Sequence, residues 1–410
     1  MNAPSPESKN LPGPVPDLPR PDGVVVRAVG DIALIARAAA ALQQHGCQYP
    51  FEHVADLVRA ADLAFGNLEM PICSDRWCEP SFPDVCPDFR CPPQTAEALE
   101  MAGFDVLNLA NNHTMDWGIA GLSETLARLH GVGLQTIGAG KTLRDARQPA
   151  LFVRNGLRIA FLGYGVRGPW NATPACPGTA PIERELIVED LRAMRDEVDL
   201  LVVSLHAGIL SDYPNLEDRR LARELIEQGA DLVLGHGPHV LQGVEFYQGR
   251  VIAHSLGNFI IDLSSGNVQC KTATQEQQES VILDVELAHD GMSRVSYIPI
   301  LISGSLQTVP ASPQDAARIL ARLEILSNNL DRMHGLTLWQ HAGMRNVEHE
   351  LQVLAFQARE VGWRQVFRRL KKIRWRHMRL LLGYVVAKTR KLSARWLASR
   401  QQLPVGECHD

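Results

Sequence analysis

The chain lacks long hydrophobic runs. No stretch of about 18 apolar residues exists, which excludes an evident transmembrane helix. Its first 23 residues, MNAPSPESKNLPGPVPDLPRPDG, carry neither a basic start nor an apolar stretch, and so do not read as a secretory signal. The expectation is a cytoplasmic protein. The chain has little net charge: 41 Lys and Arg against 46 Asp and Glu leave −5 over 410 residues, so composition selects no specific nucleic-acid partner. It has no Gly-rich phosphate loop. Cysteine is scarce, at 8 residues, and without an export signal reduced thiols are expected. Four cysteines fall in CSDRWCEPSFPDVCPDFRC (73–91), spaced C-x4-C-x7-C-x4-C rather than as the C-x2-C of a zinc ribbon. Ordinary loop thiols outweigh a small metal clip as the reading of this Cys73–Cys91 loop. It follows Glu69 closely, so it would wall any cleft formed there.

What is present is a globular composition, 45% hydrophobic and 21% charged. Residues 1–23 read as a disordered or extended Pro-rich tail. Residues 24–305 form the body. VVVRAVG (24–30), ADLAFGNLE (61–69), FDVLNLANNH (104–113), DLLVVSLHAG (199–208) and DLVLGH (231–236) are apolar runs that end in polar residues, the signature of strands. Helical patterns separate them over 95–103, 118–131, 183–197 and 216–229. Asn155-Gly156, Gln248-Gly249 and Asp290-Gly291 mark hairpins. Strands alternating with helices, interrupted by hairpins, predict an α/β fold with mixed sheets. Residues 306–410 are expected to be a largely helical C-terminal extension that wraps or extends the body. Within it, 362–400 is a basic helix without Asp or Glu, interspersed with Trp, Phe and Leu. It suits an anionic membrane surface or an anionic polymer, against the plainer reading of a solvated basic helix.

Five strand ends carry metal-capable side chains: Asp31; Asn67 and Glu69; Asn112 and His113; His206; His236 and His239. Singly, each is a cap, a turn residue or a hydrogen-bonded core histidine. Parallel strands, however, deliver their carboxyl ends to one edge. So many polar groups converging there require partners, and a pair of divalent cations supplies them most simply. Oxygen and nitrogen donors without thiolate point to Mn, Zn, Fe or Mg. Asn258, in SLGNF, would line the same cleft.

The segments VGDIAL (29–34), DLAFGNLEMPI (62–72), GFDVLNLANNHTMDWG (103–118), GLQTIGAG (133–140), VSLHAG (203–208), GADLVLGHGPHVLQGVE (229–245) and HSLGNF (254–259) together resemble the CapA family of poly-γ-glutamate capsule biosynthesis proteins, within the calcineurin-like metallophosphatase superfamily. The resemblance implies a four-layer α/β sandwich and a two-ion site. Asp31 resembles a carboxylate ligand of the first ion and Glu69 a bridging carboxylate. Asn112, His206 and His236 resemble ligands of the second ion, and His239 one of the first. His113 resembles a general acid, with Asn67 and Asn258 on the substrate side. Ala33 stands where the superfamily has a second histidine, Glu69 where it has Asp, and Ala207 where the family has Trp, so one ion has a thinner shell. The implied function is a hydrolase acting on a phosphoester or an anionic polymer through metal-activated water. The other reading is a non-catalytic, metal-stabilised module that binds the polymer in the capsule machinery. The basic helix would make the protein peripheral at the inner face of the membrane.

Overall fold

β-branched runs bounded by glycine form strands here, and the amphipathic segments between them cover the sheets so formed. The computed structural model describes residues 23–74, 81, 89–208, 210–262, 273–288 and 293–332. The Pro-rich tail (save Gly23), the Asp290-Gly291 turn, Cys78, Cys86 and the basic helix expected over 362–400 lie outside the described residues.

In chain order the first elements are β1 (Gly23–Ala33), α1 (Ala36–His45), α2 (Ala55–Arg59), β2 (Leu63–Leu68), α3 (Thr95–Ala102), β3 (Val106–Asn108), α4 (Gly118–Gly131) and β4 (Gln135–Ile137). There follow β5 (Ala139–Gly140), α5 (Leu143–Ala146), β6 (Ala150–Arg154), β7 (Leu157–Gly165), β8 (Gly178–Thr179), α6 (Arg184–Arg195), β9 (Leu200–His206), α7 (Leu216–Glu227) and β10 (Leu232–His236). The chain continues through β11 (Val244–Tyr247), β12 (Arg250–Ala253), β13 (Asn258–Ile261), α8 (Gln275–Gln278), β14 (Glu279–Ala288), β15 (Ser293–Ile302), β16 (Thr308–Pro310) and α9 (Pro313–Asn328).

Among the described residues one sheet has eight strands, ordered β16-β15-β14-β1-β2-β3-β4 with β13 also paired to β1. The other has six, ordered β11-β12-β10-β9-β7-β6. In the first, β1 to β4 run parallel. In the second, β7, β9, β10 and β12 do. Alternation along each strand decides the layers. Val24, Val26, Ala28, Leu63 and Phe65 pack between the sheets with Phe161, Val202, Leu232 and Leu234. The opposite face of the first sheet is covered by Leu42, Val58, Leu99 and Leu122 of α1 to α4. The far face of the second is covered by Ile187, Leu191 and Leu225 of α6 and α7. This is the four-layer α/β sandwich with mixed sheets that the sequence predicts.

Two hairpin turns follow from local chemistry. Asn155 and Gly156 take φ of 51° and 79°, and Gln248 and Gly249 take 51° and 76°, the paired left-handed conformations that match the strand twist. The segment past residue 305 packs back on the body. Beyond residue 305, β16 pairs with β15. Ile319, Leu323 and Leu326 of α9 are buried in the core between the sheets. Their i, i+4, i+7 spacing forms one apolar stripe, so this helix closes the sandwich rather than extending from it. Just after α9, Asp331 and the Leu330 carbonyl accept from Arg219, which also pairs with Glu245 at 2.9 Å. No helix among the described residues is long and apolar enough to cross a membrane.

Gly30 lies where β1 shifts register, one residue before Asp31. A Cβ there would stand 2.1 Å from the Gly257 carbonyl oxygen, a backbone atom that cannot yield. Gly30→Ala is therefore expected to cost about 1–3 kcal/mol, read as a lower urea midpoint at unchanged m-value.

Candidate functional site

The parallel strands of both sheets end along one edge, and the register aligns their last residues. Asp31 pairs with Asn67 on one side and Asn258 on the other. His206 pairs with His236. Glu69 follows β2, and Asn111, Asn112 and His113 follow β3. His239 sits three residues past β10 with φ of 58°, a left-handed backbone unusual for a residue other than glycine. That turn brings its ring back toward β1.

The structure draws most of the expected residues together. His239 Nδ1 lies 3.2 Å from Asp31 Oδ2, and its Nε2 lies 3.4 Å from Glu69 Oε1. His236 Nδ1 lies 3.4 Å from Asp31 Oδ1. Asp31, Glu69 and His239 present ligand atoms all within 4.8 Å of one another. Asn112 and His206 form a second contact, Asn112 Oδ1 being 3.1 Å from His206 Nε2. His113 borders the cluster, near enough for its charge to act on Glu69 and His206, with its Nδ1 2.8 Å from Asp116 Oδ2.

Asn67 and Asn258, expected on the substrate side, are both 0% exposed and bonded to protein. Asn258 donates to the Gln277 and His239 carbonyls at 2.9 and 3.3 Å, which turns its Oδ1 toward His239 Nδ1 at 3.0 Å. Asn67 donates through Nδ2 to Asp31 Oδ1 at 2.8 Å and faces His206 Nδ1 at 3.2 Å. Its Oδ1 accepts from Asn108 Nδ2 at 2.9 Å, and Asn108 Oδ1 accepts from the Ala110 N–H at 3.1 Å. Both amides orient neighbouring groups of the site.

Burial would raise the Asp31 carboxyl, but hydrogen bonds from His236 and His239 outweigh it and hold the group far below the usual carboxylate range. Glu69 has weaker support, and burial pushes it up to about 7. Burial likewise pushes His206 down to about 3. At His239 burial works against the charged ring, but the Glu69 and Asp31 charges outweigh it and lift the group to about 10. Glu69 Oε2 and His236 Nε2 are buried without a hydrogen-bond partner, and His236 Nδ1 has none besides its approach to Asp31. Buried polar atoms are rarely left so. Two adjacent carboxylates, imidazoles and orphaned donor atoms form a set that fits a divalent cation.

The sequence reading missed three residues. Asp116 carries the hydrogen bond at His113, and its spacing in HTMD would have suggested it. Asn111 accepts from the His113 and Thr114 N–H groups at 3.0 and 2.9 Å and donates to the Leu68 carbonyl at 2.8 Å, fixing the turn that holds His113. Asn108 links Asn67 to the backbone. The expected reduced thiols need one correction: Cys73 is disulfide-bonded. Its partner lies outside the described residues, since Cys47, Cys91 and Cys176 are free. A four-cysteine clip would lose Cys73 to that bond. Cys91 is a buried thiol pushed up to about 12 by burial. The returning end of the loop borders His113, with the Phe89 ring edge-on at 5.4 Å.

A family described as "Bacterial capsule synthesis protein PGA_cap" matches residues 25–263. A Bacillus subtilis (strain 168) protein named "PGA biosynthesis protein CapA" is 33% identical over 276 residues, 66% of this chain and 70% of that one. "Capsule biosynthesis protein CapA" of Bacillus anthracis is 30% identical over 303 residues, 72% and 71% of the two chains. The solved 5'-nucleotidase precursor of Thermus thermophilus overlays with a TM-score of 0.39 at 14% identity, over 76% of this chain and 59% of that one, a likeness too distant to carry an argument.

Asn108→Ala leaves the Asn67 oxygen and the Ala110 N–H without partners in the core. It is expected to lower stability by about 1–3 kcal/mol in urea titration.

Proposed function

The chain belongs to the bacterial capsule synthesis protein PGA_cap family, and from that premise we propose that it is a metal-dependent hydrolase of capsule or poly-γ-glutamate biosynthesis. Its substrate is a phosphoester or the anionic polymer itself. One observation supports this above the others. Asp31, Glu69 and His239 converge within 4.8 Å at the joint edge of two sheets, beside donor atoms of Glu69 and His236 that have no protein partner.

Asp31, Glu69 and His239 would hold the cation, with the His236 ring alongside Asp31. A divalent ion supplies Lewis-acid polarisation of a phosphoryl or carbonyl oxygen and makes water more acidic. The chain's own groups prepare the rest. Asn258 accepts the His239 Nδ1–H, which orients Nε2 toward Glu69. The main-chain N–H of Gly237 donates to Asp31 Oδ2 at 3.4 Å, helping to keep that carboxyl in place. Asp116 accepts from His113 Nδ1 and fixes the orientation of the ring. His113 Nε2 then holds a proton for a departing oxygen or nitrogen, as a general acid. The ring is partly exposed, as a group meeting substrate must be. The basic stretch 362–400 supplies positive charge for an anionic polymer or membrane surface.

The test uses purified full-length protein on bis(p-nitrophenyl) phosphate and on a γ-glutamyl anilide. Chelation should abolish turnover and Mn should restore it. His113→Ala should lower kcat by about 10²–10⁴-fold, with bound metal unchanged by elemental analysis. Loss of metal in that variant would remove His113 as the acid. A metal-loaded wild type that binds poly-γ-glutamate without turnover would replace catalysis with a binding role.

A further inference from the structure

The amides beneath the site fix more than position; they fix which atoms can receive a cation. The ladder starts at the backbone. The Ala110 N–H needs an acceptor, so Asn108 turns its Oδ1 toward it, at 3.1 Å. Asn108 Nδ2 therefore faces Asn67, whose Oδ1 accepts at 2.9 Å. Asn67 must then point its amino group at Asp31 Oδ1 and at His206 Nδ1, at 2.8 and 3.2 Å. A ring nitrogen facing an N–H is an acceptor, so His206 Nδ1 carries no proton. The proton of the neutral ring is on Nε2, where it donates to Asn112 Oδ1 at 3.1 Å.

Neither nitrogen of His206 is thus free to ligate. Freeing Nε2 moves the proton to Nδ1, where it meets the Asn67 N–H. Reversing Asn67 sets its oxygen against the Asp31 carboxylate and its amino group against that of Asn108. Reversing Asn108 as well strands the Ala110 N–H, and a backbone group cannot flip. Each step leaves a buried polar group unanswered. The ladder is also packed tightly. A Cβ on Gly138 or Gly163 would stand 2.7 or 2.3 Å from Asn108 Oδ1.

The other half of the site is the reverse case. His239 is held with Nδ1–H on Asn258 and Nε2 toward Glu69. His236 leans on Asp31, at 3.4 Å, with both nitrogens otherwise without partners.

We propose that the chain holds one divalent cation, in the Asp31–Glu69–His239 pocket, and that the Asn67 carboxamide makes the cross-link between the two sheets that a second ion would otherwise make. Asn112 and His206, expected as second-ion ligands, are then a closed hydrogen-bonded pair. The proposal rests on the cation pocket of the preceding subsection and concerns the count of ions, not the existence of the pocket.

The test is stoichiometry. Chelator-stripped full-length protein is titrated with Mn(II), bound metal is measured by equilibrium dialysis with elemental analysis, and the ion's environment is read by electron paramagnetic resonance. Wild type should bind one Mn(II) per chain and give an isolated-ion spectrum. His206→Gln should retain that ion, with affinity changed less than tenfold. Asn67→Asp places a carboxylate between Asp31 and His206, and should bind a second Mn(II) with an exchange-coupled spectrum. Two coupled ions in wild type overturn the proposal, as does loss of the ion in His206→Gln. A folded Asn67→Asp that still binds a single ion overturns the part given to Asn67. If Asn67→Asp does not fold, the wild-type count and His206→Gln decide. Wild type that binds no Mn(II) removes the cation pocket itself, and both readings fall.

Discussion

A carboxylate removed from water has to be answered by nearby donors, and at Asp31 the answer comes from both sheets. Asn67 donates from the neighbouring strand of the first sheet. Gly237 donates its main-chain N–H, and His236 and His239 approach from the end of β10 in the second. Asp31 is 0% exposed, so none of these contacts competes with solvent. Elsewhere the sheets meet largely through apolar side chains, with polar links such as Arg154 to Asp105 and Asn155 to the Gly23 carbonyl at the opposite end. Directional bonds onto one buried charge fix the register between them at the edge where the chemistry gathers. The glycines agree with this. Gly30 allows the Gly257 carbonyl to approach β1, and Gly235, just before His236, allows the same of the His254 carbonyl.

Much of this was legible in the sequence, for identifiable reasons. Parallel buried strands are continuous apolar runs, and their ends are marked by the first polar residues. Asp31, Asn67, His206 and His236 could therefore be placed on one edge before any contact was known. Asn-Gly and Gln-Gly fixed two hairpins because only left-handed backbone pairs fit such turns. Hidden were the groups that act through others. Asn108 sits in NLANNH as one amide among three, and no spacing rule distinguishes the one that supports from the one that faces outward. For the same reason the sequence did not show that Asn67 and Asn258 bond to protein atoms. A polar residue at a strand end carries no sign of whether its partners are protein atoms or ligand. For the segment past residue 305, wrapping and extending the body were both open. The apolar stripe of α9 was visible as a helix, but only the open core between the sheets says where that stripe belongs.

The site divides by how firmly its histidines are held. His206 is tied at both nitrogens, His239 at one with the other left toward Glu69, and His236 at neither except through its approach to Asp31. Such a gradient separates rings that build the site from rings with capacity to spare. Burial pushes His206 down, yet His239 is lifted, because two carboxylates face it.

The docking of α9 bears on how the chain can be divided. Ile319, Leu323 and Leu326 fill the slot between the sheets, and Arg322 reaches Asp212 at 2.9 Å, on the segment between His206 and α7. Arg219 of α7 in turn bonds to the Leu330 carbonyl and Asp331. The matched family segment ends at 263, but a fragment trimmed there or at 305 would open its interior to water and release the segment beside His206. The smallest self-sufficient unit runs at least through Asp331.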